Sequence, residues 1–195
     1  MNKRELKPST MLNPVPVVMV SSGDREHSNI FTAAWTGTVC SEPPMVYVSI
    51  RKSRYSHEII SQSGTFVINL VNRDTVKACD YCGVKSGREV DKFKELGLTK
   101  EVGKHTGVPM IQECPVNLEC RVTQIIELGS HDMFLAEVEG VYVDNRLLDE
   151  KDALDLVKAG LIAYSHGEYF RLGDYEGFFG YSVAGEEALK RRLRK

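Results

Sequence analysis

The chain predicts a mainly β protein, a β-barrel with a few short helices. Short segments alternate apolar and polar residues with a period of two, turn residues interrupt them every few positions, and no strand–helix–strand rhythm of a parallel sheet is present. The clearest segment is Met45 to Ile50, with Val46, Val48 and Ile50 on one side and Met45, Tyr47 and Ser49 on the other. At 195 residues, with no internal repeat and no dividing linker, the chain forms one domain over 1–195. Its core is expected over about 10–180, with a charged C-terminal helix over 184–195.

Residues 1–13 read as a polar lead-in that packs on a neighbour. Val15 to Val20 reads as a first strand with Pro16 confined to its start, and Ser21 to Asp24 as a turn. Ile30 to Cys40 reads as one returning strand, in which Ala33, Ala34, Gly37 and Thr38 surround the only tryptophan, Trp35. Two explanations fit so little bulk: a group approaching the backbone closely, or a crowded barrel corner. Glu42-Pro43-Pro44 reads as an extended link into the central strand. Ser56 occupies an N-cap position before Ile59 and Ile60, and Gly64 closes that helix.

Thr65 to Val71 alternates as a further strand. Asp74 caps a helix through Val76 and Cys79, with Gly83 just past its end, and a second helix ends at Gly97. Residues 98–115 read as irregular. Val116, Leu118, Cys120 and Val122 alternate against Asn117, Glu119, Arg121 and Thr123. In Asp132 to Val143 the apolar phase runs through Phe134, Ala136 and Val138, then slips to Val141 and Val143, which predicts a β-bulge at Gly140. Asp149 to Gly160 is a short amphipathic segment and Leu161 to Tyr164 a last strand. Aromatics and glycines crowd residues 165–181, and Leu189 and Leu193 share one face of the C-terminal helix.

Composition excludes several classes. Hydrophobic residues are 42% and charged residues 27%, with a net charge of −2 and both signs interspersed, so nothing favours nucleic acid or an anionic membrane as partner. No apolar run reaches transmembrane length, and MNKRELKPST lacks the apolar stretch of a secretory signal. Five cysteines, an odd number, suit a reducing compartment, and a cytoplasmic protein is expected. Cys79-x-x-Cys82 has no second pair at zinc spacing and no βαβ context, so structural thiols are favoured over a redox pair. His27, His57, His105, His131 and His166 show no metal spacing. Nucleophile-elbow, Walker and dinucleotide fingerprints are absent.

The chemistry-bearing stretch is Arg51, Lys52, Ser53 and Arg54, three cations and a hydroxyl between a strand and a helix N-terminus. Guanidinium forks, free amides and the helix dipole suit a phosphate there, and a solvated turn is the structural alternative. His131 opens a later strand.

The run TAAWTGTVCSEPPMVYVSIRKSRYSHEII resembles the flavin reductase-like family of FMN-binding split barrels, and within it the flavoredoxins. GVKSGREVDKF matches that family's loop–helix motif at Gly83, Ser86, Gly87, Asp91, Lys92 and Phe93. Gly129-Ser130-His131 stands where the family has Gly-Asp-His, with serine replacing the acid. The resemblance covers roughly residues 10–180 through three separated motifs in order.

It implies a split β-barrel with FMN as cofactor. Arg51, Ser53 and Arg54 would hold the phosphate, and Asn29, Ala34, Trp35 and Thr36 would line the ring and ribityl region. Ser49, Ile50, Ser56 and His57 would contribute from the central strand and following helix, with Ser86, Gly87 and Lys92 closing over the cofactor. His131 and Tyr164 would face the ring where NAD(P)H, as substrate, or a redox protein partner approaches. A homodimer is implied. Each residue has a structural reading too: Trp35 as core anchor, Lys92 as a solvated charge, His131 as a satisfied strand-end histidine. Three functions follow: an NAD(P)H-dependent FMN oxidoreductase, a flavoredoxin-type electron carrier without NAD(P)H activity of its own, and a split barrel binding another ligand, the least supported.

Overall fold

The computed structural model describes residues 2–193. Val15–Pro16 (β1) and Val18–Gly23 (β2) are followed by Ser28–Ala33 (β3), Thr36–Ser41 (β4) and Pro44–Arg51 (β5). Tyr55–Ser63 forms helix α1, Thr65–Leu70 strand β6, Val76–Val84 helix α2 and Lys92–Leu96 helix α3. Lys100–Val102 (β7) and Pro109–Ile111 (β8) precede the long pair Val116–Leu128 (β9) and His131–Val143 (β10). Ile162–Ser165 (β11), Glu168–Arg171 (β12) and helix Glu186–Arg192 (α4) complete the chain. Seven strands form one antiparallel sheet in the order β3-β2-β6-β9-β10-β5-β4.

That order forces the sheet to curl. Laid flat, seven strands at a spacing of about 4.8 Å would separate the outer two by roughly 29 Å. Yet β3 ends at Ala33 and β4 begins at Thr36, a step of at most about 11 Å. The edges therefore meet at Ala34 and Trp35, where Ser49 N–H donates to the Trp35 carbonyl at 2.9 Å. The stretch expected as one strand over 30–40 is thus two strands on opposite edges, with the small residues at the corner between them.

Alternation divides the strands between two layers. Val18, Val20, Phe31, Val46, Val48, Ile50, Phe66, Ile68 and Phe134 fill the barrel, and α1 adds Ile60. The opposite faces of β2 and β3 present Met19 and Ile30 to Cys79 and Cys82 of α2, Phe93 of α3, Ile111 and Cys114. Burial on both faces explains why β2 and β6 are covered nearly throughout. Each large side chain so buried contributes about 1.5–3 kcal/mol. Asn69, buried between these layers, is paired: it donates to the Met19 carbonyl at 3.0 Å and accepts from Ile111 N–H at 2.9 Å and Asn117 Nδ2 at 2.8 Å.

The bulge at Gly140 is present: Val138 faces Cys120 and Gly140 faces Glu119, leaving Glu139 as the extra residue. A second register shift lies between Leu135 and Ala136. Gly64 closes α1 at φ 67°, a left-handed value that side-chain-bearing residues rarely adopt.

Other details depart from expectation. The turn after the first strand starts later, because β2 runs on to Gly23. Glu42 and Pro43 make the tight turn of the β4–β5 hairpin rather than an extended link. Arg54, not Ser56, holds the N-cap position of α1, since Ser56 is fully buried in its first turn. Thr75, not Asp74, precedes α2, and Gly83 lies inside that helix. Residues 98–115 contain the β7–β8 ladder. His166 and Gly167, both at positive φ, turn β11 into β12, a hairpin not expected from the aromatic-rich tail. Arg194 and Lys195 of the expected C-terminal helix lie outside the described residues.

Candidate functional site

The loop leaving β5 is folded on itself before α1 starts: Arg54 N–H donates to the Arg51 carbonyl at 2.9 Å, and His57 N–H to the Arg54 carbonyl at 3.0 Å. Residues 84–88 run opposite it. Arg54 Nη1 donates to the Gly83 carbonyl at 3.0 Å, and Arg88 Nη2 pairs with Glu58 at 3.2 Å. Between them lies a cavity of about 290 Å³. Arg51, Arg54, Lys85 and Lys92 line it with cationic side chains, and Ser53 and Ser86 with hydroxyls. Among the described residues no carboxylate lines it.

Two neighbours set its shape. Gly87 passes so close to Asn29 that a Cβ would overlap the carboxamide, which itself donates to Ser56 Oγ at 2.8 Å. Lys92, 3% exposed, donates from Nζ to the carbonyls of Ile30 at 2.6 Å and Cys82 at 2.9 Å, tying β3 to α2. Burial pushes the Lys92 pKa below the usual lysine range, and the Arg54 guanidinium acts the same way. Lys92 is therefore a buried structural donor that also borders the cavity, not a solvated helix charge.

The cavity opens past Phe31, Arg51, Arg54 and Val84 into a chamber of about 640 Å³. Trp35 and His131 form one wall, their ring centroids 4.6 Å apart at 41°. Tyr164 and Tyr169, 5.4 Å apart edge to face, form another, and Tyr169 OH donates to Asp80 at 3.0 Å. Trp35 is 40% exposed, so it is a surface wall rather than a core anchor. Burial lowers the His131 pKa, the Arg51 charge lowers it further, and Asp132 opposes both; the imidazole is thus mainly neutral at pH 7. Its Nδ1 stands 2.9 Å from Ser130 Oγ.

Of the residues singled out from sequence, Asn29, Arg51, Ser53, Arg54, Ser86, Gly87 and Lys92 line the narrow cavity. Ala34, Trp35, Ser49, Ile50, Arg51, Arg54, His131 and Tyr164 line the chamber. Three line neither. Thr36 donates to the Tyr47 carbonyl at 2.6 Å, Ser56 sits behind Asn29, and His57 Nε2 lies 2.8 Å from Asp132 Oδ2. Sequence reasoning missed Ser9 to Asn13, Thr32, His166 and Tyr169 in the chamber and Lys85 in the cavity. Gly167 alone hints at a turn beside His166; nothing local marks the N-terminal segment.

The cysteines stand apart from this chemistry. Cys79, Cys82, Cys114 and Cys120 are buried, and burial pushes the thiols of Cys79 and Cys82 up to about 12 and about 11. Neither is poised as a thiolate. Among the described residues no group of side chains could hold a metal ion, and no helix is long and apolar enough to cross a membrane.

A seven-stranded split barrel with a cationic cavity leading to an aromatic chamber defines a class of flavin-handling proteins. The flavin reductase like domain matches residues 10–173, and the chain belongs to that family of split-barrel flavoprotein oxidoreductases. It is similar to the flavoredoxin of Desulfovibrio vulgaris (Miyazaki F), at 34% identity and a TM-score of 0.85, over 93% of this chain and 98% of that one. The flavoredoxin from Methanosarcina acetivorans is 29% identical with a TM-score of 0.84, over 94% of this chain and 100% of that one. The FMN reductase (NADH) RutF of Pseudomonas syringae pv. syringae is 30% identical over 124 residues, 64% of this chain and 65% of its own length.

Proposed function

We propose that the cleft holds FMN, its phosphate in the narrow cavity and its ring in the chamber, and that electrons pass through it from NAD(P)H. One observation carries this reading: a cavity with four cationic side chains, two serine hydroxyls and, among the described residues, no lining carboxylate opens directly into a chamber walled by Trp35, His131 and two tyrosines. That donor set suits a phosphate dianion joined to a flat ring. Arg51, Ser53 and Arg54 supply charge-assisted hydrogen bonds, and Tyr55 brings the positive end of the α1 dipole to the same cavity. The bound flavin supplies the two-electron and one-electron chemistry. The chain orients it, excludes water with Trp35 and Tyr164, and holds His131 as a neutral imidazole beside the ring, able to exchange a hydrogen bond with an incoming nicotinamide.

A homodimer belongs to this reading. Met11, Leu12 and Val84 rim the chamber at 54%, 87% and 74% exposure, an apolar mouth that a second copy would cover. Light scattering on the flavin-loaded protein should give about twice the 21.9 kDa chain mass. A monomer at micromolar concentration would refute the dimer.

Ser130 favours a second reading, in which FMN stays bound and a redox protein partner delivers the electrons. A serine hydroxyl leaves His131 without the carboxylate that the family's Gly-Asp-His would place there. Anaerobic addition of NADH or NADPH separates the two. The first reading expects the flavin absorption to bleach with pyridine nucleotide alone. Bands that persist until a reducing protein is added would establish the carrier, and a protein that binds no FMN at all would sink both.

A further inference from the structure

His57 and Asp132 form a contact that the cofactor reading leaves unexplained. Asp132 lies on β10 opposite Ile50, one rung before the final pair of His131 with Arg51, where β5 gives way to the basic loop. It is 5% exposed, and its carboxylate faces the loop from below. Oδ2 lies 2.8 Å from His57 Nε2, and Oδ1 lies 3.3 Å from Lys52 Nζ, which also reaches Glu127 at 3.3 Å. Phe134, two residues along β10, backs the His57 ring edge to face at 5.2 Å. None of Lys52, His57 and Asp132 lines the cavity or the chamber.

The two partners of Asp132 flank the phosphate-binding groups. Lys52 immediately precedes Ser53 and Arg54, and His57 follows them in the first turn of α1. A loop of this kind would otherwise sample several conformations, and ordering each backbone residue costs about 1–2 kcal/mol. One buried carboxylate holding both flanks removes that freedom before any ligand arrives. The group is charged when it does so: burial would raise its pKa, but the His57 hydrogen bond and the Lys52 ammonium outweigh burial and hold it below the ordinary aspartate range.

We propose that Asp132 is a positioning residue for the phosphate cradle, its carboxylate gripping Lys52 and His57 so that Ser53 and Arg54 are presented to the phosphate in a fixed geometry. This rests on the FMN reading above. His57 then acts through Asp132 on the loop rather than on the cofactor.

The test compares FMN with riboflavin, which has the same ring and no phosphate. The full-length chain and its variants are titrated with each flavin by fluorescence quenching. Asp132→Ala should weaken FMN about tenfold, the loss of one well-placed charge-assisted hydrogen bond, and riboflavin by less than about twofold. In an Arg54→Ala background the same substitution should cost little more, because both act on one contact. Asp132→Asn keeps the contour of the side chain and carries the test if the alanine variant does not fold. Unchanged affinity for both flavins would overturn the clamp. An equal loss of both would also overturn it, making Asp132 a general element of the fold. A wild-type chain that binds FMN no more tightly than riboflavin would instead refute the phosphate assignment itself, and the clamp with it.

Discussion

Arg54→Ala is expected to weaken FMN binding by about 1–3 kcal/mol, roughly five- to 150-fold in dissociation constant. The guanidinium spends one N–H on the Gly83 carbonyl at 3.0 Å and lies where the narrow cavity meets the chamber. Its removal subtracts a delocalised charge and a donor fork from the phosphate, and leaves the Gly83 carbonyl without that partner. Lysine would restore the charge but not the fork, so Arg54→Lys should recover only part of the loss. Riboflavin affinity should scarcely change in either variant. FMN affinity equal to wild type in Arg54→Ala would remove the phosphate from this cavity.

Glu119→Ala is expected to destabilise the fold by about 3–5 kcal/mol, the combined size of unsatisfied buried donors and a cavity. Glu119 is 0% exposed. Its carboxylate accepts from Thr106 N–H and Thr106 Oγ1 at 2.8 Å each, from Tyr142 OH at 2.8 Å and from His105 N–H at 3.2 Å. It thereby gathers the 103–106 turn onto β9 and β10, and Gly103 runs so close that a Cβ would strike the carboxylate. Burial would raise its pKa, but the hydrogen bonds from Thr106, Tyr142 and His105 outweigh burial and hold it below the ordinary glutamate range.

The pH dependence follows from that direction. A carboxyl with a depressed folded-state pKa stabilises fully above its unfolded value, about 4.3, and the stabilisation is lost as pH falls through the lower folded value. Urea unfolding should therefore show the wild-type advantage over Glu119→Ala intact at pH 7 and shrinking below about pH 4. Asp132 is depressed in the same direction, but it is present in both proteins and largely cancels from the difference. A gap that stays constant from pH 7 to pH 3 would mean that the pKa of Glu119 is not depressed in the folded protein relative to the unfolded chain.

The legible parts of this protein are those set by neighbours in sequence. Alternation over Met45 to Ile50 places Val46, Val48 and Ile50 inside the barrel, because a strand's side-chain period holds whatever lies on either side. The slip at Gly140 exposes its bulge, and Gly64 and Gly97 mark helix ends where φ turns positive. Arg51, Ser53 and Arg54 could be read as an anion site because cations and a hydroxyl cluster within four residues at a helix N-terminus, and all three line the narrow cavity.

What long-range closure decides could not be read this way. Asn117 and Glu119 occupy the outward phase of β9, as alternation requires, yet both are buried. The 103–111 segment folds over them, and nothing within β9 records that cover. The split at Ala34 and Trp35 has the same origin: the residues suit a strand, but joining the two edges of a seven-stranded sheet turns them into its corner. His57 shows it at the site. The family resemblance implies a cofactor contact for it, whereas the register of β10 against β5 sets Asp132 beneath it and draws its ring away from the cleft. Local dihedral preference and side-chain period are written residue by residue. Which surface receives a second layer, and which polar group then needs a buried partner, is settled only when separate segments of the chain close on one another.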